Sequence, residues 1–168
     1  MKKLFILALA FIASSAVFGQ SKDVVDIAIG SKDHTTLVAV VKAADLVTTL
    51  KGKGPFTVFA PTNDAFSKLP AGTVDNLLKP ENKAQLAKIL TYHVVSGNLD
   101  AAAVSAAIKS GNGKAVLTTV SGGKLTASLD GGKVKLTDES GKSAYVTAAD
   151  LKGSNGVVHV IDGVVLPK

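Results

Sequence analysis

Phe56-Thr57-Val58-Phe59-Ala60-Pro61-Thr62-Asn63-Asp64-Ala65-Phe66 decides the fold of this 168-residue chain. Its first five residues, rich in aromatic and β-branched types, read as a buried strand. Successive strand side chains point to opposite faces, which puts Phe56 and Val58 on one side and Phe59 on the other. Pro61 ends the strand. Thr62 is a good N-cap for a short helix carrying Ala65, Phe66 and Leu69, and Asp64 in the first turn suits the helix dipole.

The chain upstream of this stretch is helical. Asp23 to Ile29 reads as a short helix. Thr35 to Ala44 is a clearer one, with Leu37, Val40, Val41 and Ala44 at i, i+3, i+4 and i+7. Lys51-Gly52-Lys53-Gly54-Pro55 separates these helices from the strand. Downstream, Pro70-Ala71-Gly72-Thr73 reads as a turn and a second cap, and Glu81 to Thr91 as a helix with Leu86, Ile89 and Leu90 on one side. Tyr92-His93-Val94-Val95 is expected to continue as a strand. Asp100 caps an Ala-rich helix running through Ile108.

From Gly111 the hydrophobic period changes from 3.6 to 2. Ala115–Val120, Lys124–Leu129, Lys133–Thr137 and Ser143–Ala148 alternate between Gly- and Asp-rich turns, the pattern of consecutive hairpins. Val157-Val158-His159-Val160-Ile161 and Val164-Val165-Leu166 are almost wholly apolar and suit strands buried on both faces. His159, pointing opposite to Val158 and Val160, is either exposed or a polar group of the core. A helix-rich first half and a strand-rich second half imply an α+β fold in one domain.

Met1-Lys2-Lys3, the apolar run Leu4–Ile12 and the small residues up to Gly19 have the layout of a secretory signal peptide. The apolar run is short of the roughly 20 residues a spanning helix needs. Cleavage is expected after Gly19, with Ala16 as the alternative, giving a signal over residues 1–19 and one domain over 20–168. In that domain 17 Lys face 13 acidic residues, a net charge of +4. The protein is expected to be exported, periplasmic or extracellular, with no membrane span after cleavage.

Composition excludes several chemistries. There is no Cys, hence no disulfide, thiol nucleophile, iron–sulfur cluster or lipidated Cys. All 19 basic residues are Lys; without the Arg fork, and with no Trp, a nucleic-acid partner is not expected. His34, His93 and His159 have no metal-ligand spacing, and no G-x-S-x-G or phosphate loop occurs. No catalytic residue, metal or cofactor is therefore expected.

Three stretches taken together resemble the signatures of the fasciclin (FAS1) domain family: Phe56–Phe66, Tyr92-His93 with the following Val-Val, and Ser154-Asn155-Gly156-Val157-Val158-His159-Val160-Ile161-Asp162. The likeness runs from about Asp23 to Pro167. His34 departs from it, a Phe being commoner there. The resemblance implies a β-sandwich wedge of short strands with helices packed around it. It also implies a secreted or surface-bound module of adhesion or matrix attachment, bound to a cell-surface or matrix protein or polysaccharide. An Asp-Ile pair linked to receptor binding in animal members corresponds to Asp150-Leu151, and the Tyr-His motif, also linked to recognition, to Tyr92 and His93. Packing alone explains Phe56, Thr57, Phe59, Pro61, Thr62 and Phe66. Asn155-Gly156 reads as a turn, and His159 and Asp162 as framework residues of the closing signature. Buried hydrogen bonds are expected of His93 and Asp162, since buried polar groups must be paired. A periplasmic small-ligand carrier is the alternative function. A hydrolase is the third, if His93 or His159 lies within hydrogen-bond reach of a Ser and a carboxylate.

Overall fold

The computed structural model of the chain describes residues 21–168; the signal segment expected over residues 1–19 lies outside the described residues. Helices come first: α1 (Val24–Ile29), α2 (Thr35–Ala43), α3 (Val47–Leu50), then strand β1 (Phe56–Pro61), α4 (Asn63–Ser67), α5 (Thr73–Leu77) and α6 (Lys83–Tyr92). The second half holds β2 (Val94–Ser96), α7 (Ala101–Ser110), β3 (Lys114–Thr118), β4 (Lys124–Asp130), β5 (Lys133–Thr137), β6 (Ser143–Gly153) and β7 (Gly156–Ile161). The architecture is the α+β one expected.

The seven strands form one sheet in the order β2-β1-β7-β6-β5-β4-β3. Strands β3 to β6 are a meander of antiparallel hairpins, as the alternating segments require. Strand β6 changes partner along its length. Its start, Ser143–Tyr145, pairs with β5, and its remainder pairs with β7 through two irregularities around Ala148. Such bulges bend a strand and increase its twist. The sheet thereby folds over until its two ends meet: Val120 N–H donates to Val94 O at 2.8 Å, and Val95 bridges Thr119. The folded-over sheet is the expected wedge.

Two cores follow from the alternation of β1. Val58 and Ala60 face Val25, Leu37, Val41, Leu50 and Leu90, under the helices. Phe59 faces the inside of the folded sheet, where Val104 and Ile108 of α7 meet Leu117, Leu125 and Leu136. Thr62 caps α4 by accepting from Ala65 N–H at 3.2 Å, and Asp100 caps α7 by accepting from Ala103 N–H at 2.8 Å, as the sequence predicts.

Three local expectations are corrected. Tyr92-His93 is not strand: Tyr92 ends α6 and His93 is its C-cap, its N–H reaching Leu90 O, and pairing with β1 begins only at Val94. Val164-Val165-Leu166 forms no strand, because side chains take the place of a neighbouring strand. His93 Nε2 accepts from Val165 N–H, and Asp138 Oδ2 accepts from Leu166 N–H. The second cap falls within Pro70–Thr73 as expected: it is Gly72, at φ +80°, with Thr73 the first residue of α5. Strand β6 continues past Ala148 to Gly153, its bulges having broken the alternation that would mark it.

Candidate functional site

The fold brings the separate signature stretches into one place. Strands β1 and β7 lie parallel and in register, Phe56 opposite Gly156, Phe59 opposite His159 and Pro61 opposite Ile161. No Cβ fits at Gly156, where it would overlap the backbone of Phe56. On the other side of β1, Phe59 N–H donates to His93 O at 2.9 Å. The Phe59 and His159 rings stack with centroids 5.6 Å apart.

Each polar group of this cluster finds its partner inside the fold. Tyr92 is fully buried; its hydroxyl donates to Lys124 O at 2.6 Å and accepts from Glu139 N–H at 3.2 Å. Burial raises the Tyr92 hydroxyl pKa. His93 Nδ1 lies 2.8 Å from Ile89 O, a pure acceptor, so this nitrogen carries the proton and Nε2 accepts from Val165 N–H at 3.3 Å. Complete burial lowers the His93 pKa to about 4, outweighing the bond to Ile89. Charging the ring would also turn Nε2 into a donor facing another N–H.

His159 is buried and links two segments: Nε2 donates to Leu99 O at 2.7 Å and Nδ1 accepts from Asp150 N–H at 3.3 Å. Of the two readings of this residue, it is the core polar group. Thr57 donates to Gly97 O and accepts from Leu99 N–H. Asn155 holds three backbone groups, accepting from Val24 N–H and donating to Leu50 O and Gly52 O. Asp162 accepts from Tyr145 N–H at 2.8 Å.

Asp150 and Leu151 stand apart from the buried cluster. They lie on the bulged part of β6, both exposed, with Asp150 at φ +60°. The Asp150 carboxylate accepts from Ala101 N–H at 2.7 Å, at the start of α7, and Leu151 is 38% exposed. Asp150 is tied to the cluster through His159, while Leu151 presents its side chain to solvent.

The geometry bears on the two other functions. The side-chain partners of His93 and His159 among the described residues are backbone groups, with no Ser or carboxylate in the ring's hydrogen-bond reach. Among the described residues no group of three or more His, Asp or Glu stands together as metal ligands. An apolar cavity under α1 and α2, lined by Val25, Leu37, Val41 and Leu90, measures about 40 Å³, whereas small-molecule sites typically need about 300–1,000 Å³. A larger concavity of about 610 Å³ beside Lys53, Lys152 and Ser154 is open and partly polar. No helix among the described residues is long and apolar enough to cross a membrane.

Sequence reasoning missed the parallel contact of the first and closing signatures. The only signal available was their shared apolar character, which does not encode who pairs with whom. It also missed Asp138, whose buried carboxylate accepts from Ser140, Lys142 and Leu166 N–H groups. A lone Asp in a turn carries no mark of a bond 28 residues away.

Comparison with known proteins gives concordant results. The sequence model of the fasciclin domain matches residues 32–167. A protein of Synechocystis sp., Protein sll1483, is 51% identical over 156 residues, 93% of this chain and 79% of that protein. Immunogenic protein MPB70 of Mycobacterium bovis is 36% identical over 159 residues, 91% of this chain and 74% of that protein. Among solved structures, a FAS1 domain pair from the insect cell adhesion molecule Fasciclin I superimposes with a TM-score of 0.63 at 22% identity. The match covers 77% of this chain and 43% of that one.

Proposed function

The chain belongs to the fasciclin domain family, and from that premise we propose that it is an exported, non-catalytic attachment module. It binds a protein or polysaccharide of the cell surface or matrix by surface complementarity, without a cofactor. The observation that carries this reading is the division of the polar groups. Those of the signature cluster are hydrogen-bonded within the fold, so recognition falls to the solvent-facing surface. Fasciclin I, the insect protein that shares the fold, is a cell adhesion molecule, which agrees with this reading. Residues 1–19 serve as the export signal, and the protein acts in the periplasm or outside the cell.

Asp150 and Leu151 are the contact positions of this reading. Tyr92 and His93, linked to recognition by the family resemblance, act by holding the framework. The test is solid-phase attachment of the purified protein to envelopes of its host cells. Asp150→Asn preserves tolerance of a positive φ and an acceptor for Ala101, and so removes only charge; Leu151→Ser removes only exposed apolar area. Saturable attachment, weakened by either change, supports the proposal. Absence of attachment to envelopes would overturn it. Amino-terminal sequencing of the exported form tests the signal, with Gln20 as the expected first residue.

A further inference from the structure

The outward face of strands β3 to β6 has an organisation that the buried cluster does not explain. Inward positions are Ala115, Leu117, Leu125, Ala127, Leu136 and Ala144, all buried. Outward positions form rows fixed by the strand register. One row runs Lys114, Ser128, Lys135, Tyr145 across four neighbouring strands; the next runs Val116, Thr126, Thr137, Ser143. Helix α7 packs on the inward side, through Val104 and Ile108. The outward rows face solvent, Val116 being 62% exposed.

Lysine is concentrated on this face. Residues 114–137 hold four Lys, at positions 114, 124, 133 and 135, and one acidic residue, Asp130, a net of +3; the rest of residues 21–168 holds 13 Lys and 12 acidic residues. Most of the net positive charge of the described chain therefore lies in the segment that forms β3, β4 and β5. Lys114, Lys124, Lys133 and Lys135 make no salt bridge among the described residues. Asp130, although opposite Lys133 in the register, accepts instead from the Tyr145 hydroxyl at 2.8 Å. Lys135 lies over the Tyr145 ring, 5.9 Å from its centroid, which fixes its direction across the sheet.

We propose that this face binds an acidic polysaccharide, a linear polymer bearing carboxylate or sulfate groups, laid across the strands. The proposal rests on the attachment reading, adds a second surface to the Asp150-Leu151 contact and names the ligand class that this surface takes. Lys114 and Lys135 are two strands apart, about 10 Å, and Lys133 lies about 7 Å from Lys135 along β5. Cations so spaced on a rigid sheet meet the repeating charges of a polyanion at several points at once, and linked weak contacts multiply. The adjacent hydroxyl row supplies donors and acceptors for sugar hydroxyls. A nucleic acid would call for Arg forks and open aromatic platforms, and here one ring face of Tyr145 carries Lys135. A lipid surface would call for an apolar wedge, and Val116 alone among these outward rows is a large exposed apolar side chain.

The experiment is titration of the purified protein with alginate, a polyuronate, alongside neutral dextran, anionic phosphatidylglycerol vesicles and duplex DNA, at low and high salt. The face variant is Lys114→Gln, Lys133→Gln, Lys135→Gln. A control variant, Lys32→Gln, Lys42→Gln, Lys79→Gln, removes the same charge elsewhere. Alginate should bind and dextran should not, with affinity falling as salt rises. The face variant should bind alginate about tenfold more weakly or worse, with its circular dichroism unchanged, and the control variant should change it less than about twofold. Equal losses in both variants, absence of alginate binding, or tighter binding to vesicles or DNA would overturn the proposal. Envelope attachment separates the two claims. Wild-type attachment that the face variant retains in full removes this inference and leaves the attachment reading standing. Alginate binding through the face without envelope attachment does the reverse.

Discussion

The signature cluster around β1 and β7 and the outward face of β3 to β6 are both built from strands, and they use polar residues in opposite ways. In the cluster, Thr57, Tyr92, His93, Asn155 and His159 are hydrogen-bonded to backbone from distant parts of the chain. On the outward face, Lys114, Lys133, Thr126 and Ser128 point to solvent at strand positions whose inward neighbours carry the packing. A buried polar group without its partner costs about 1–3 kcal/mol, whereas an exposed one exchanges its partner for water at little cost. Residue types that stand out most in the sequence therefore belong to the framework, and the face proposed for a polysaccharide is made of ordinary Lys, Thr and Ser.

Substitutions should separate the regions sharply. Gly156→Ala should have the largest effect, about 3 kcal/mol or more, because a methyl group there overlaps the Phe56 backbone and must force β1 and β7 apart; chemical denaturation measures it. Acid should act next through His93. Its folded pKa of about 4 lies below its ordinary 6.5, so the unfolded chain binds more protons between these values. Stability from this residue is complete above about pH 6.5, falls as the pH drops toward 4 and levels off below it. The total is about 3 kcal/mol. A denaturation series over this pH range, repeated with His93→Phe to remove the slope, checks the sign.

Asn155→Ala should cost about 2 kcal/mol, because it leaves Val24 N–H, Leu50 O and Gly52 O without their side-chain partner. Thr126→Val on the outward face should change stability by less than about 0.5 kcal/mol. A loss at Thr126 comparable to that at Asn155 would erase the contrast between the regions.

How much was legible in the sequence divides along the same line. Thr62 with α4, Asp100 with α7, and the hairpins of β3 to β6 are set by neighbours within a few residues, and each appears where the sequence predicts it. The corrected segments depend on distant partners. Val164–Leu166 looks like strand, yet its N–H groups bond to His93 and Asp138 side chains. Tyr92-His93 looks like the start of a strand, yet it ends a helix, and its side chains bond to Lys124, Glu139 and Val165 far along the chain. The lysine face was legible as alternation in single strands; only the cross-strand register shows that Lys114 and Lys135 share a row.

The measurement that tests this division most directly is amide chemical-shift mapping during titration with short alginate oligomers. The largest changes are predicted at Lys114, Thr126, Ser128 and Lys135, with Phe59, His93 and Val158 unmoved. Changes centred on Tyr92, His93 and the β1–β7 pair, with the outward rows of β3 to β6 unmoved, would contradict the account.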